Sequence, residues 1–318
     1  MKALITGIDG FAGSFLAELL LNNDIVVAGT NLPGISLANI EHIKNSLSLF
    51  EANLLDQKRL AQVIKTFCPD MVFHLAGASS VKESFAHPAK FFDINVVGSL
   101  NLLEAIKNLS PQARVLLVTS GEIYGESLSA NKVTNEESPI VPKSPYATSK
   151  AALDMLGRIY AETYQLKIVI ARPFSHIGPR QSAVFFVPTI AKQIARIMRG
   201  KSAPEIHLGN LMVYRDFTDV RDVVEAYYLL LQKGQIGLAY NICSGKTYLL
   251  KDIVEKMIAL SDKKIDVKLD PARVRSSDLV NMSISNSKIK KEIGWTPKFE
   301  IRDSLREILD YWMNKIDK

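Results

Sequence analysis

Ala3-Leu4-Ile5-Thr6-Gly7-Ile8-Asp9-Gly10-Phe11-Ala12-Gly13 decides the fold of this chain. Ala3 to Thr6 reads as a short buried strand, and Phe11 to Asn22 as a helix. Between them the spacing is Gly7-x-x-Gly10-x-x-Gly13. An ordinary strand-to-helix turn has little use for three glycines so placed. They suit a turn where backbone must approach a ligand, with helix N-terminal amides facing an anion. The stretch therefore reads as a cradle for the pyrophosphate of a dinucleotide, with Gly7, Gly10, Phe11 and Gly13 as its residues.

Outward from that turn, apolar runs alternate with helical periods. Ile25 to Gly29, Met71 to Leu75, Arg114 to Thr119 and Lys167 to Ala171 read as strands. Asp56 to Phe67, Ala89 to Asn108 and Pro145 to Tyr164 read as helices. Continuous apolar strands alternating with helices mean a parallel sheet covered on both faces, and right-handed crossovers make it doubly wound. The expected class is α/β, a doubly wound parallel Rossmann sheet with a smaller C-terminal α/β substrate-binding domain. After Arg172-Pro173 the pattern loosens, punctuated by Gly178-Pro179, Gly200, Pro204, Gly209 and Pro271. Val223 to Leu231 reads as a helix, Ala239 to Cys243 as a short strand and Asp303 to Asn314 as an amphipathic helix. The expected division is a dinucleotide-binding domain over 1–172, to which 216–240 returns, and a substrate domain from 173–215 and 241–318.

An apolar fraction of 47% over 318 residues supports a well-buried core. The net charge of +6 comes from Lys and Arg spread along the chain, which argues against nucleic acid and leaves room for an anionic small substrate. Cys68 and Cys243 stand far apart, without the pattern of a disulfide scaffold or zinc site, and fit a reducing cytoplasm. Neither a secretory leader nor a membrane-spanning run is expected, because the first apolar run breaks at Gly7 and Asp9. His74 closes an apolar strand and reads as packed; His176 has no metal partner in the sequence.

A second signal is Ser144-Pro145-Tyr146-Ala147-Thr148-Ser149-Lys150. On a helix, Tyr146 and Lys150 share one face. A free phenol titrates near ~10, and a neighbouring ammonium is expected to lower that value. With the glycine turn, the pair points to hydride transfer coupled to proton transfer on an alcohol or ketone. The second strand ends Ala28-Gly29-Thr30-Asn31-Leu32, without the carboxylate that holds a ribose 2′-hydroxyl. NADP(H) is therefore preferred, NAD(H) remains open, and Thr30 and Asn31 are the residues placed to contact either.

On these markers the chain resembles the extended short-chain dehydrogenase/reductase family, the nucleotide-sugar epimerases, dehydratases and reductases. Further markers are Asn53-Leu54-Leu55-Asp56, His74-Leu75-Ala76-Gly77, Asn95-Val96-Val97-Gly98 and Ser120-Gly121-Glu122-Ile123-Tyr124-Gly125. The resemblance implies that Ser120 hydrogen-bonds the reacting sugar oxygen, that Tyr146 donates or accepts its proton, and that Lys150 also holds the nicotinamide ribose. It places Leu54 and Asp56 at the adenine, with Leu75 and Ala76 along the cofactor. Glu122 is implied as a sugar-hydroxyl ligand; in dehydratases the same position serves as a base. The helices Ala89–Asn108 and Pro145–Tyr164 are those that pair in the family's homodimers.

Within the family the likeness is best to GDP-sugar enzymes, and among them to the GDP-6-deoxy-4-keto-D-mannose reductases. It is carried by Ser79-Ser80-Val81-Lys82, His176-Ile177-Gly178-Pro179, Gly209-Asn210-Leu211, Arg215-Asp216-Phe217-Thr218-Asp219-Val220-Arg221-Asp222, Arg275-Ser276-Ser277-Asp278 and Gly294-Trp295-Thr296-Pro297. It implies a GDP-sugar substrate held by Ser80, Lys82, Ser175, Lys192, Asn210, Arg215, Arg275 and Asp278. Lys192, Arg215 and Arg275 would meet the diphosphate, a role for which a guanidinium fork is suited. Ser175 and Ser276 depart from the pattern, where relatives carry Asn and Pro. The implied reaction is NAD(P)H-dependent reduction of the C4 ketone of a GDP-4-keto-6-deoxyhexose. GDP-mannose 4,6-dehydration, 4-epimerisation of another nucleotide sugar and a non-catalytic dinucleotide sensor are the competing functions.

Overall fold

The computed structural model describes residues 1–128, 132–273 and 282–316. Its central sheet has seven parallel strands. In chain order they are β1 (Lys2–Thr6), β2 (Val26–Asn31), β3 (Ser48–Glu51), β4 (Met71–His74), β5 (Arg114–Val118), β6 (Lys167–Pro173) and an edge strand, Ala239–Ile242. Across the sheet the order is edge strand, β6, β5, β4, β1, β2, β3. The order reverses between β1 and β4, so a crevice opens beyond the carboxyl ends of those two strands, where such folds take their ligands.

The apolar runs form this sheet because both faces are covered. Ala3, Ile5, Val27, Met71, Phe73, Leu116 and Val118 point into one core, closed by Leu16 and Leu20 of helix Phe11–Leu21 and by Val223, Tyr227 and Leu230 of helix Val220–Lys233. Leu4, Ala28, Val72, Val115, Leu117 and Ile170 point the other way. Helices Gln57–Phe67, Gly98–Leu109 and Pro145–Thr163 cover them with Val63, Leu102, Ile106 and Leu153. Full burial of one such side chain is worth about 1.5–3 kcal/mol, so these two layers hold the crevice rigidly.

The expected helix over Ala89–Asn108 is not one regular helix. It begins as Pro88–Phe92, widens into a π-helical turn over Asp93–Val97 and resumes as Gly98–Leu109. The wide turn carries Asn95, whose side chain is bonded into the site described below; such turns often mark functional positions.

The C-terminal part buries a core of its own. Helices Phe186–Met198, Leu250–Ala259 and Ile301–Ile316 enclose Ile190, Ile194, Ile253, Met257, Leu305, Ile308 and Trp312. Two short sheets lie beside them: Glu205–Leu208 with Asp266–Leu269, and Tyr214–Asp216 with Thr247–Leu249. Asp222 fastens this part to the main sheet. Its carboxylate accepts N–H bonds from Lys298 and Phe299, both 3.0 Å, and its carbonyl accepts from Trp295 Nε1 at 2.9 Å.

Candidate active site

The glycine turn closes on itself at the carboxyl end of β1. Gly7 takes φ +71°, and a Cβ there would lie 3.0 Å from the Ala76 Cα. A Cβ on Gly13 would stand 2.2 Å from the Gly7 carbonyl oxygen, so only glycine fits that position. The amides of Gly7 and Ile8 donate to the Thr30 carbonyl at 2.9 and 3.3 Å, tying the turn to the end of β2. Gly10 caps helix Phe11–Leu21 without any side-chain bond, which leaves the helix amides facing the crevice. Bare amides, absent Cβ atoms and a helix N-terminus fit the pyrophosphate of a dinucleotide.

Behind the turn stands His74. Ser99 Oγ–H donates to the Asn95 carbonyl at 2.7 Å, so the same oxygen must accept from His74 Nε2–H, also at 2.7 Å. His74 Nδ1 then accepts from the Thr6 hydroxyl at 2.8 Å, and Thr6 Oγ1 accepts the Ala76 amide at 3.1 Å. Burial, with the Lys150 charge adding to it, pushes this imidazole down to about 3, so it stays neutral. The packed histidine read from the sequence is thus a post that holds β1, β4 and helix Gly98–Leu109 together beneath the cradle.

Ser144 caps helix Pro145–Thr163 by accepting the Ala147 amide at 3.1 Å, and Pro145 occupies the first turn. This start places Tyr146 and Lys150 on the inner face, 9% and 6% exposed. Lys150 Nζ donates to the Val118 carbonyl at 2.9 Å. A Cβ on Gly77 would come within 3.4 Å of the same Nζ, so the strip after β4 lies directly over the ammonium. Asn95 completes the cluster. Its Nδ2 donates to Ser149 Oγ at 2.9 Å and to the Ala78 carbonyl at 3.0 Å, and its Oδ1 accepts the Ala78 amide at 2.8 Å.

Ser120 follows β5 and caps the 3-10 turn Gly121–Ser127, accepting the Glu122 amide at 3.1 Å. It meets the phenol of Tyr146. Burial pushes that phenol up to about 12; a hydrogen bond with Ser120 opposes the rise and the Glu122 carboxylate adds to it. The sequence had led us to expect the opposite direction, a phenol lowered by Lys150. The expectation fails because burial dominates at the phenol and the Lys150 ammonium, itself pushed down to about 8 by desolvation, is directed at the Val118 carbonyl. Tyr146 therefore holds its proton throughout the physiological range.

The remaining expected residues are spread more widely. Phe11 stacks on His176, centroids 5.6 Å apart at 7°, so the segment after β6 touches the cradle directly. Thr30 and Asn31 are buried at the end of β2, where Asn31 Nδ2 donates to the Leu32 carbonyl at 3.2 Å. Leu75 is half-buried and Leu54 buried. Asp56 caps helix Gln57–Phe67, accepting the Arg59 amide at 2.9 Å. Ser80 likewise caps a short helix, and Lys82 and Ser175 are exposed. Asn210 Oδ1 accepts the Met212 amide at 2.9 Å. Arg215 donates to the Tyr214 carbonyl at 2.8 Å on the strand Tyr214–Asp216. Lys192 does not join the cluster; its ammonium lies over the Trp312 ring at 5.6 Å. Arg275 and Asp278 lie outside the described residues.

Sequence reading did not single out Ser149 or Arg180. Arg180 holds the left-handed φ of +71°, pairs with Glu18 at 2.7 Å and lies over the Phe15 ring at 4.3 Å. It thereby pins the segment after β6 along helix Phe11–Leu21. Nothing local in the sequence announces this contact, which spans two distant segments. No helix among the described residues is long and apolar enough to cross a membrane.

Residues 4–308 match the family model described as GDP-mannose 4,6 dehydratase. The chain is 34% identical over 315 residues to the GDP-6-deoxy-D-mannose reductase of Pseudomonas aeruginosa, covering 99% of this chain and 98% of that protein. Among solved structures, RMD from Pseudomonas aeruginosa complexed with NADPH superposes with a TM-score of 0.86 at 32% identity, covering 99% and 98% of the two chains. The dTDP-glucose 4,6-dehydratase of Bacillus anthracis in complex with NAD gives 0.87 at 26% identity, covering 100% and 98%.

Proposed function

The chain belongs to the GDP-mannose 4,6-dehydratase family of nucleotide-sugar short-chain dehydrogenase/reductases, and from that membership we propose that it reduces the C4 ketone of a GDP-4-keto-6-deoxyhexose, forming GDP-6-deoxy-D-mannose. It is an NAD(P)-dependent oxidoreductase. The observation that carries this reading is the likeness over 99% of the chain to a GDP-6-deoxy-D-mannose reductase, joined to the contact between Ser120 and the Tyr146 phenol. Burial keeps that phenol protonated, the form a reduction needs, and a developing alkoxide is a strong enough base to take its proton.

A nicotinamide cofactor, once bound in the cradle, would supply the hydride. Tyr146 delivers its proton to the C4 oxygen as that oxygen gains charge, and Ser120 hydrogen-bonds the same oxygen. Lys150, held by the Val118 carbonyl beneath Gly77, supplies a fixed positive charge in the cluster and a donor for the nicotinamide ribose. Gly7, Gly10 and Gly13 admit the pyrophosphate to the helix amides. Thr30 and Asn31 meet the adenosine ribose; with no carboxylate at the end of β2, NADPH is accepted at least as well as NADH. Arg215 holds the substrate diphosphate.

One observation favours a second reading. Glu122 is exposed and near enough to influence the phenol, as a base for removing water from C5 and C6 would be. Incubation with GDP-mannose and NADP⁺ separates the two. A reductase leaves GDP-mannose untouched. Accumulation of GDP-4-keto-6-deoxymannose at catalytic NADP⁺ would replace the first reading with the second.

A further inference from the structure

Asp154 and Arg172, charged side chains outside the reacting cluster, are wholly buried. Asp154 lies one turn beyond Lys150 and two beyond Tyr146, on the same inner face of helix Pro145–Thr163. Arg172, near the end of β6, grips it with a two-pronged bond: Nε to Oδ2 at 2.7 Å and Nη2 to Oδ1 at 2.8 Å. The third guanidinium nitrogen turns away from the helix. It donates to Tyr124 Oη at 2.7 Å and to the Glu136 carbonyl at 3.1 Å. The Tyr124 hydroxyl in turn donates to Asn241 Oδ1 at 2.8 Å. Tyr124 belongs to the turn that begins at Ser120, and its ring stacks on Phe174, which fills the space where a Gly121 Cβ would stand. The Thr119 hydroxyl, beside Ser120, lies 3.4 Å from Asp154 Oδ2.

One guanidinium thus touches both halves of the reacting cluster: the helix bearing Tyr146 and Lys150, and the turn bearing Ser120 and Glu122. A buried ion pair is an inefficient source of stability, since well-packed apolar side chains often serve as well. Its geometry is harder to replace, because a planar fork fixes two directions at once. We propose that Asp154 and Arg172 are positioning residues for the reduction, setting the register between the Tyr146 helix and the Ser120 turn. Sliding or rotating that helix requires breaking a bidentate bond in a dry interior.

The inference rests on the roles proposed above for Ser120, Tyr146 and Lys150, and its test has one arm that needs no sugar. Arg172→Lys keeps the charge and loses the fork. Tyr124→Phe keeps the ion pair and cuts its link to the turn. Each variant is compared with the wild type in kcat and KM for the 4-keto sugar, and in NADPH affinity across pH by fluorescence. Circular dichroism confirms that each is folded. We expect kcat to fall by about tenfold or more in Arg172→Lys and less in Tyr124→Phe, with KM changed by less than about threefold in both, since the loss falls on the transition state. The alkaline limb of NADPH binding should move up from about 8 as Lys150 loses its fixed surroundings. A purely structural pair would lower the melting temperature of a folded variant and leave kcat and that limb where they were, and this result in both variants would overturn the inference. A wild type that turns over no 4-keto sugar overturns the proposed substrate instead, and the pH limb of binding then decides the positioning role alone.

Discussion

Removing the Tyr146 hydroxyl deletes the proton that the proposed reduction delivers to the C4 oxygen. Tyr146→Phe is predicted to lower kcat by about 10²–10⁴, with NADPH affinity unchanged by fluorescence titration. Near-normal turnover would remove Tyr146 from its role. Lys150 gives a prediction of opposite sense for stability. Its value falls from 10.5 to about 8 on burial, so the buried ammonium destabilises the native state by about 3 kcal/mol. Between those two values the unfolded chain holds a proton that the native chain has released, so the penalty is full below pH ~8 and vanishes as pH rises toward ~10.5. Lys150→Met should therefore melt above wild type at neutral pH, with an advantage that shrinks across that window, while activity is lost. Melting curves at several pH values check both signs. At this scale the glycine spacing and the Tyr146/Lys150 pair were legible because each is a local demand on residue type. The direction of the Tyr146 shift was not, because it depends on burial by distant segments such as Phe91, whose ring meets Tyr146 edge-on. The contact of Lys192 with the Trp312 ring was not legible for a related reason: it joins two helices far apart in the chain.

Helix Pro145–Thr163 serves the site with its inner face and leaves apolar residues on its outer one. Met155 and Ile159, one turn apart, are 52% and 50% exposed, and Val97 and Phe92 on the neighbouring helical segment are 45% and 38% exposed. An apolar stripe of this kind is suited to its own copy across a twofold axis, and we propose a homodimer through these helices. Met155→Lys together with Ile159→Lys is predicted to give a monomer at micromolar concentration by light scattering; a wild type already monomeric there would dismiss the interface. Elements themselves were legible wherever apolar period and capping agreed, as at Ser144-Pro145 and Asp56. The break at Asp93–Val97 was not, since its apolar pattern fits an α-helix and the wider turn shows itself only through Asn95, bonded to Ala78 and Ser149 far along the chain.

At the scale of the molecule, the sheet with its reversal of strand order is joined through Asp222 to a C-terminal part with its own core. The doubly wound sheet was legible from the alternation of strands and helices. The C-terminal part was not, because its short strands pair across long separations, Tyr214–Asp216 with Thr247–Leu249 among them. Arg215 belongs to that part, held by its strand beside the buried Asp216, which accepts amides from Ser244 and Gly245 at 2.9 and 2.8 Å. Losing one charge-assisted contact to a phosphate costs about 1.5–3 kcal/mol, so Arg215→Ala should weaken GDP binding by roughly ten- to a hundredfold in calorimetry and leave NADPH binding intact. Equal GDP affinity in the variant would take Arg215 out of the substrate site. Reduction at C4 is measured by mixing the enzyme with GDP-4-keto-6-deoxymannose and NADPH and following NADPH absorbance together with product. One NADPH should be oxidised for each GDP-6-deoxy-D-mannose formed; sugar conversion without net NADPH oxidation would rule the reduction out.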